Sequence, residues 1–195
     1  MLRPLAILAM LTMAAPVYAA DPDWPCVAGR RDHLSMGQMW AGPAPDEATA
    51  ALARDPAIRA MAEVMTDRRA PLDDLLPQLD AFAEGADNAQ LTALFQAAFD
   101  LVEDRRYTVV SRIAEFVTAQ RGMQAQVEQA REALAEAEAA DPPDFDAIDR
   151  AEERRDITAR IFEERQRQIR YVCEVPNLLE QRAFGLARAI MARLD

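Results

Sequence analysis

The chain has no lysine, one histidine (His33), two serines (Ser35 and Ser111) and only six glycines in 195 residues. Each scarcity removes a class of chemistry. Without lysine there is no phosphate-binding P-loop, and no dinucleotide-binding glycine fingerprint occurs. One histidine excludes the two-histidine zinc motif of metalloproteases. A Ser–His–acid triad would have to use His33 and Ser35, two positions apart, with no glycine-flanked nucleophile turn. The neighbouring acids Asp73 and Asp74, and Glu152 and Glu153, point in different directions on a helix and have no apolar setting to raise one pKa. These gaps predict a non-enzymatic protein with no catalytic residue and no cofactor. Beyond the first twenty residues there is no long apolar run, so no membrane span is expected after that point.

What is present points first to compartment. The opening MLRPLAILAMLTMAAPVYAA has Arg3, an apolar run over residues 5–15, and Val17 and Ala19 at the positions that favour cleavage. This is the pattern of a secretory signal peptide over residues 1–19. All 22 basic residues are arginines and alanine abounds, a coding bias of GC-rich bacteria, so the expected destination is the periplasm. The mature chain would carry 21 arginines against 33 acids. That balance argues against nucleic acid as a partner. Residues 21–104 hold 6 arginines and 16 acids, whereas residues 105–172 hold 12 and 14, so the acidity belongs to the N-terminal half.

Two cysteines in an oxidising compartment predict one disulfide, Cys26 to Cys173. Closing so long a loop restrains the unfolded chain by roughly 5 kcal/mol in the entropy model. The alternative, a reactive thiol pair, has neither a CxxC spacing nor positive charge focused on Cys173.

The remaining pattern is all-α. Residues 20–45 are broken by proline and glycine and predict an extended strap. Residues 46–104 predict a helical head. There Asp46 starts a short helix, Asp55 and Pro56 start a second, and Ile58, Met61, Ala62 and Met65 form its apolar stripe. Pro71 starts a third that Pro77 splits or kinks. A long helix starts at Asp87, packing Leu91, Leu94, Phe95, Ala98 and Val102 into the head. From Ile113 its stripe runs through Phe116, Gln120, Met123, Val127, Ala130 and Leu134 in alternating steps of three and four, a heptad seam. Pro142 and Pro143 stop it. Asp144 caps a return helix whose stripe is Ile148, Ala151, Arg155, Thr158, Phe162, Arg165, Ile169 and Val172. Folding the arms at Asp141 sets Leu134 opposite Ile148, Gln120 opposite Phe162 and Ile113 opposite Ile169. Residues 105–172 are therefore expected to form an antiparallel coiled-coil hairpin, apolar at its ends and polar in the middle where Val127 meets Arg155. Its outer faces offer Asp146–Arg150, Asp156–Arg160 and Glu163–Arg167 pairs. Residues 173–195 predict a separate C-terminal helix, starting at Pro176 and packing on the head.

Three places invite a site. His33, Met36 and Met39 offer an imidazole and two thioethers suited to Cu(I), against the simpler reading that methionine fills apolar gaps. The turn around Asp144 and Asp146 lacks the glycine and closing glutamate of a calcium loop, so these acids are expected to start the helix. The hairpin tip exposes Pro142, Pro143, Asp144, Phe145 and Asp149 as an interaction surface. DWPC, LSMGQMWAGP and IFEERQRQIRYVCEVPNLLEQRAF, spread over most of the mature chain, resemble a set of small secreted helical proteins of alphaproteobacteria. The resemblance implies a periplasmic helical protein, assigns no catalytic residue, and does not include His33. Taken together, the expected role is an accessory, adaptor or assembly factor that presents its hairpin to another envelope protein or to a second copy of the chain. The alternative is periplasmic copper handling through His33, Met36 and Met39. Intact mass of the exported protein tests the leader: the mature chain is expected to begin at residue 20 or 21, and a retained residue 1 contradicts it.

Overall fold

The computed structural model describes residues 24–194; the expected signal peptide and the first residues of the strap lie outside them. Among the described residues there are five α-helices and no strand: α1 (Glu47–Leu52), α2 (Pro56–Met65), α3 (Leu72–Ala83), α4 (Asn88–Glu138) and α5 (Phe145–Met191). The strap ahead of them is irregular apart from a single 3₁₀ turn at Met36–Gln38.

Local chemistry explains most boundaries. Asp46 accepts from the Thr49 amide at 2.8 Å, and Asp55 accepts from the Ala57 amide at 2.8 Å, with Pro56 in the first helical position where its missing N–H is not needed. The backbone and hydroxyl of Thr49 hold the Asp46 carboxyl below the usual carboxylate range. Asp87 and Gln90 form a reciprocal capping box at the start of α4, at 2.8 and 3.0 Å. At 51 residues α4 extends for about 77 Å at the usual helical rise.

The internal prolines break less than proline usually does. Of the two alternatives for Pro77, a split or a kinked helix, the split does not occur: α3 is one helix with Pro77 inside it. Pro77 is exposed while Leu75 and Leu79, on the other face, are buried, so the carbonyl it leaves without a donor can turn to water. Pro176 was expected to open a new helix, and the arm to end at residue 172. Instead α5 runs unbroken through Pro176. Leu179, Ala183, Leu186 and Ile190 are buried in the head just beyond the proline, and Cys173 is tied down just before it. Anchors on both sides hold the helix in line across the missing hydrogen bond.

The head core joins Ile58, Ala62 and Met65 of α2, Leu75 and Leu79 of α3, residues of α4 up to Val102, and residues of α5 from Leu179 onward. Two arginines close the end of α2. Arg105 of α4 donates to the Thr66 carbonyl at 3.1 Å and its hydroxyl at 3.0 Å, and Arg182 of α5 donates to the carbonyls of Met65 (3.4 Å), Asp67 (3.1 Å) and Ala70. Cationic groups there satisfy carbonyls that a helix terminus leaves open and complement its dipole.

Past Val102 the long helices leave the head core and pair with each other. Val110, Ile113, Val127, Ala130 and Leu134 are the buried seam residues of α4. The Gln120 side-chain amide donates to the Phe162 carbonyl at 3.2 Å, which matches the register in which these two residues face each other. Two details differ. Val127 is buried, so the loose part of the seam is not there but around Gln120, where no α4 side chain is fully buried between Ile113 and Val127. On α5, Arg165 and Val172 are exposed rather than part of the seam. The surface ion pairs also shift: Arg167 meets Glu164 at 2.6 Å and Arg155 meets Asp156 at 2.7 Å. In the first a nearer carboxylate replaces Glu163; in the second a nearer arginine replaces Arg160 as the partner of Asp156.

Trp40 locks the strap to the head. Its ring stacks on Phe95 with centroids 4.4 Å apart, and its indole N–H donates to the Pro43 carbonyl at 2.7 Å. Gly42 passes so close beneath the ring that an added Cβ would lie 2.6 Å from Trp40 and 2.9 Å from Leu194. Gly42→Ala is expected to destabilise the fold by about 1–3 kcal/mol, as overpacking does. Urea unfolding followed by tryptophan fluorescence checks this.

Candidate functional site

Three features compete for function: the root where strap meets hairpin, a groove on the hairpin's flank, and the exposed tip. At the root, Cys26 and Cys173 are disulfide-bonded with Cα atoms 5.4 Å apart. On α4, Glu103 and Arg106 grip the strap backbone. Arg106, only 4% exposed, donates to the Arg31 carbonyl at 2.7 Å. Glu103 accepts from the Leu34 amide at 3.1 Å and lies 2.8 Å from His33 Nδ1. His33 also stacks on Tyr107, with centroids 5.3 Å apart. Neither Glu103 nor Arg106 was singled out from the sequence. The signal for Arg106 was present, because it lies seven residues before Ile113 and so falls on the seam, where an arginine must find acceptors.

The three residues of the copper reading have other engagements. His33 is held by Glu103, Met36 packs half-buried against the core, and Met39 is buried within it. Among the described residues no three His, Cys, Asp or Glu side chains converge on a common point for a metal.

The tip stands at the far end of the hairpin. Asp144 caps α5 by accepting from the Ala147 amide at 3.0 Å, as expected of a helix-start acid. Pro142, Pro143, Phe145 and Asp149 are exposed, Phe145 at 72%.

The groove, of about 670 Å³, lies where the seam loosens. Half-buried Phe116, Val117, Phe162 and Ile169 supply its apolar surface, and Pro25 of the strap closes one end. Arg121, Arg167 and Arg170 stand along its edges against one carboxylate, Glu163. Gln120 Oε1 is buried at this level and has no hydrogen-bond partner among the described residues. Phe116, Gln120 and Phe162 were all legible as seam positions. The arginine edge was not, because which flank of a helix pair stays open depends on packing rather than on heptad register.

A smaller cleft of about 190 Å³ on the head is lined by Arg54, Arg59, Gln96, Asp100 and Asp104. Burial, and secondarily repulsion from Asp104, pushes the Asp100 carboxyl above its ordinary value.

The chain matches no protein-family model, no curated protein and no solved structure.

Two predictions follow from this geometry. Reducing the disulfide, or replacing both cysteines with serine, is expected to speed backbone hydrogen exchange in residues 26–34 before α4 or α5; earlier loosening of α5 contradicts the clamp. Asp100 binds its proton more tightly in the folded than in the unfolded chain, so its ionisation weakens the fold as pH rises through the folded pKa. Asp100→Asn should therefore raise the melting temperature at pH 7, and the gain should vanish once the pH falls below the unfolded carboxylate range. Thermal scans at the two pH values check it.

Proposed function

We propose that the protein is a non-enzymatic periplasmic interaction protein, an accessory, adaptor or assembly factor that presents its helical hairpin to an envelope partner. The observation that carries this reading is the separation of the arm from the head core. Core residues of α4 end at Val102 and those of α5 begin at Leu179, so the intervening stretches of both helices pack on each other. From Ile113 to the end of α4 the arm is about 38 Å long at the usual rise.

The exposed apolar side chains support the same reading. Ile157, Ile161, Tyr171 and Val172 of the α5 arm are exposed, as is Phe145 at the tip. Isolated exposed apolar residues are ordinary on any surface, but here most of them lie on one projecting element. The Cys26–Cys173 bond fits an oxidising compartment such as the periplasm.

A photo-crosslinking amino acid placed at Phe145, at Asp149 and, as a control, at Asp73 on the head tests the reading in cells. Crosslinks to a second envelope protein from the arm positions, and not from Asp73, are expected. Crosslinks confined to the head would overturn it.

A further inference from the structure

We infer that the groove on the hairpin's flank is the seat of the mature chain's own N-terminus, with residues 20–23 lying along it as a short polyproline II segment. Direction is the first argument. The strap follows α4 step by step. Trp40 stacks on Phe95, the Leu34 amide binds Glu103, and the Arg31 carbonyl binds Arg106. Cys26 then shares the small root cleft with Val110, and Pro25 enters the groove beside Phe116. Each step back along the strap is thus a step along α4 away from the head. Continued beyond Pro25, the same course leads past Gln120 to Gln124, the length of the groove.

Length is the second argument. The groove spans residues 116–124 of α4, about 12 Å at the usual helical rise. Removal of the expected leader leaves Ala20, Asp21, Pro22 and Asp23 ahead of Trp24. Four residues of polyproline II span about 12 Å as well.

Local chemistry is the third. Asp21 and Trp24 each precede a proline, which disfavours helix and favours extended backbone. Pro22 and Pro25 are three residues apart, one turn of polyproline II, so the two rings share an edge about 9 Å apart. Pro25 lines the groove, and the same edge brings Pro22 in further along. Half-buried Phe116 and Phe162 give the groove the aromatic wall on which such proline ridges dock. The backbone is preset and the tail is tethered at Cys26, so little ordering and no second molecule is needed. Charge sets only the sign: Asp21 and Asp23 come to an arginine edge, and no arginine has to be free, because Arg121 and Arg167 are already engaged.

A tail seated there neither requires nor excludes a partner on the arm. It closes this flank and leaves exposed apolar residues of α5, Ile157 and Ile161 among them, as the arm's free surface.

The test is intramolecular photo-crosslinking of the purified mature chain. Benzoylphenylalanine is placed at Gln124, exposed at the groove's far end, or at Arg165, exposed on α5 and outside the groove. Crosslinked peptides of the monomer are mapped by mass spectrometry. Links from position 124 to residues 20–23 are expected at least fivefold more often than links from position 165. Pro22→Gly with Asp23→Gly removes the polyproline lock and should lower the yield from position 124 at least threefold, with unchanged circular dichroism. Equal yields from the two positions, links from position 124 only to a second copy, or a yield that the double substitution leaves unchanged would overturn the inference.

Discussion

The grip of the hairpin's root on the N-terminal strap is the constraint from which the rest follows. A pair of antiparallel helices projecting from a small head has little to fix its angle, because its own seam is thin: α5 has no fully buried residue between its start and Pro176. The strap supplies what the seam lacks. Cys26 bonds Cys173 at the turn before Pro176, Arg106 and Glu103 hold the backbone of Arg31 and Leu34, and Trp40 stacks on Phe95. These contacts tie α4, α5 and the strap together where the arm leaves the head. They also explain how a 47-residue helix crosses an internal proline without breaking.

Much of this was legible in the sequence, for identifiable reasons. Helix starts were readable because caps are local: Asp46, Asp55, Asp87 and Asp144 each accept from an amide two or three residues on. The seam was readable because it repeats, and Gln120 does face Phe162. The disulfide was readable because only two cysteines were there to pair. What escaped were effects that depend on packing at a distance. Pro176 looks like a helix start, and only the anchors on either side of it show why it is not one. The polar middle of the seam was expected where Val127 meets Arg155, but Val127 is buried and the larger opening falls beside Gln120.

The crowd of rare residues in the strap has a structural explanation. The strap gathers the one histidine, both tryptophans, and Met36 and Met39, of which His33, Met36 and Met39 invite the reading of a metal site. In the fold Trp40 and Met39 are buried, Met36 packs on the core, and His33 lies against Glu103 and Tyr107. Rarity here reflects the demands of an irregular segment that must bury apolar surface without a helix to organise it.

The central claim is that the hairpin stands away from the head, and small-angle X-ray scattering of the mature, disulfide-intact monomer tests it most directly. A rigid α4 of about 77 Å predicts a maximum dimension of roughly 80 Å and a radius of gyration near 22 Å or above. A radius of gyration near 16 Å, the value for a compact chain of this size, would mean that the arm folds back on the head and would contradict the account.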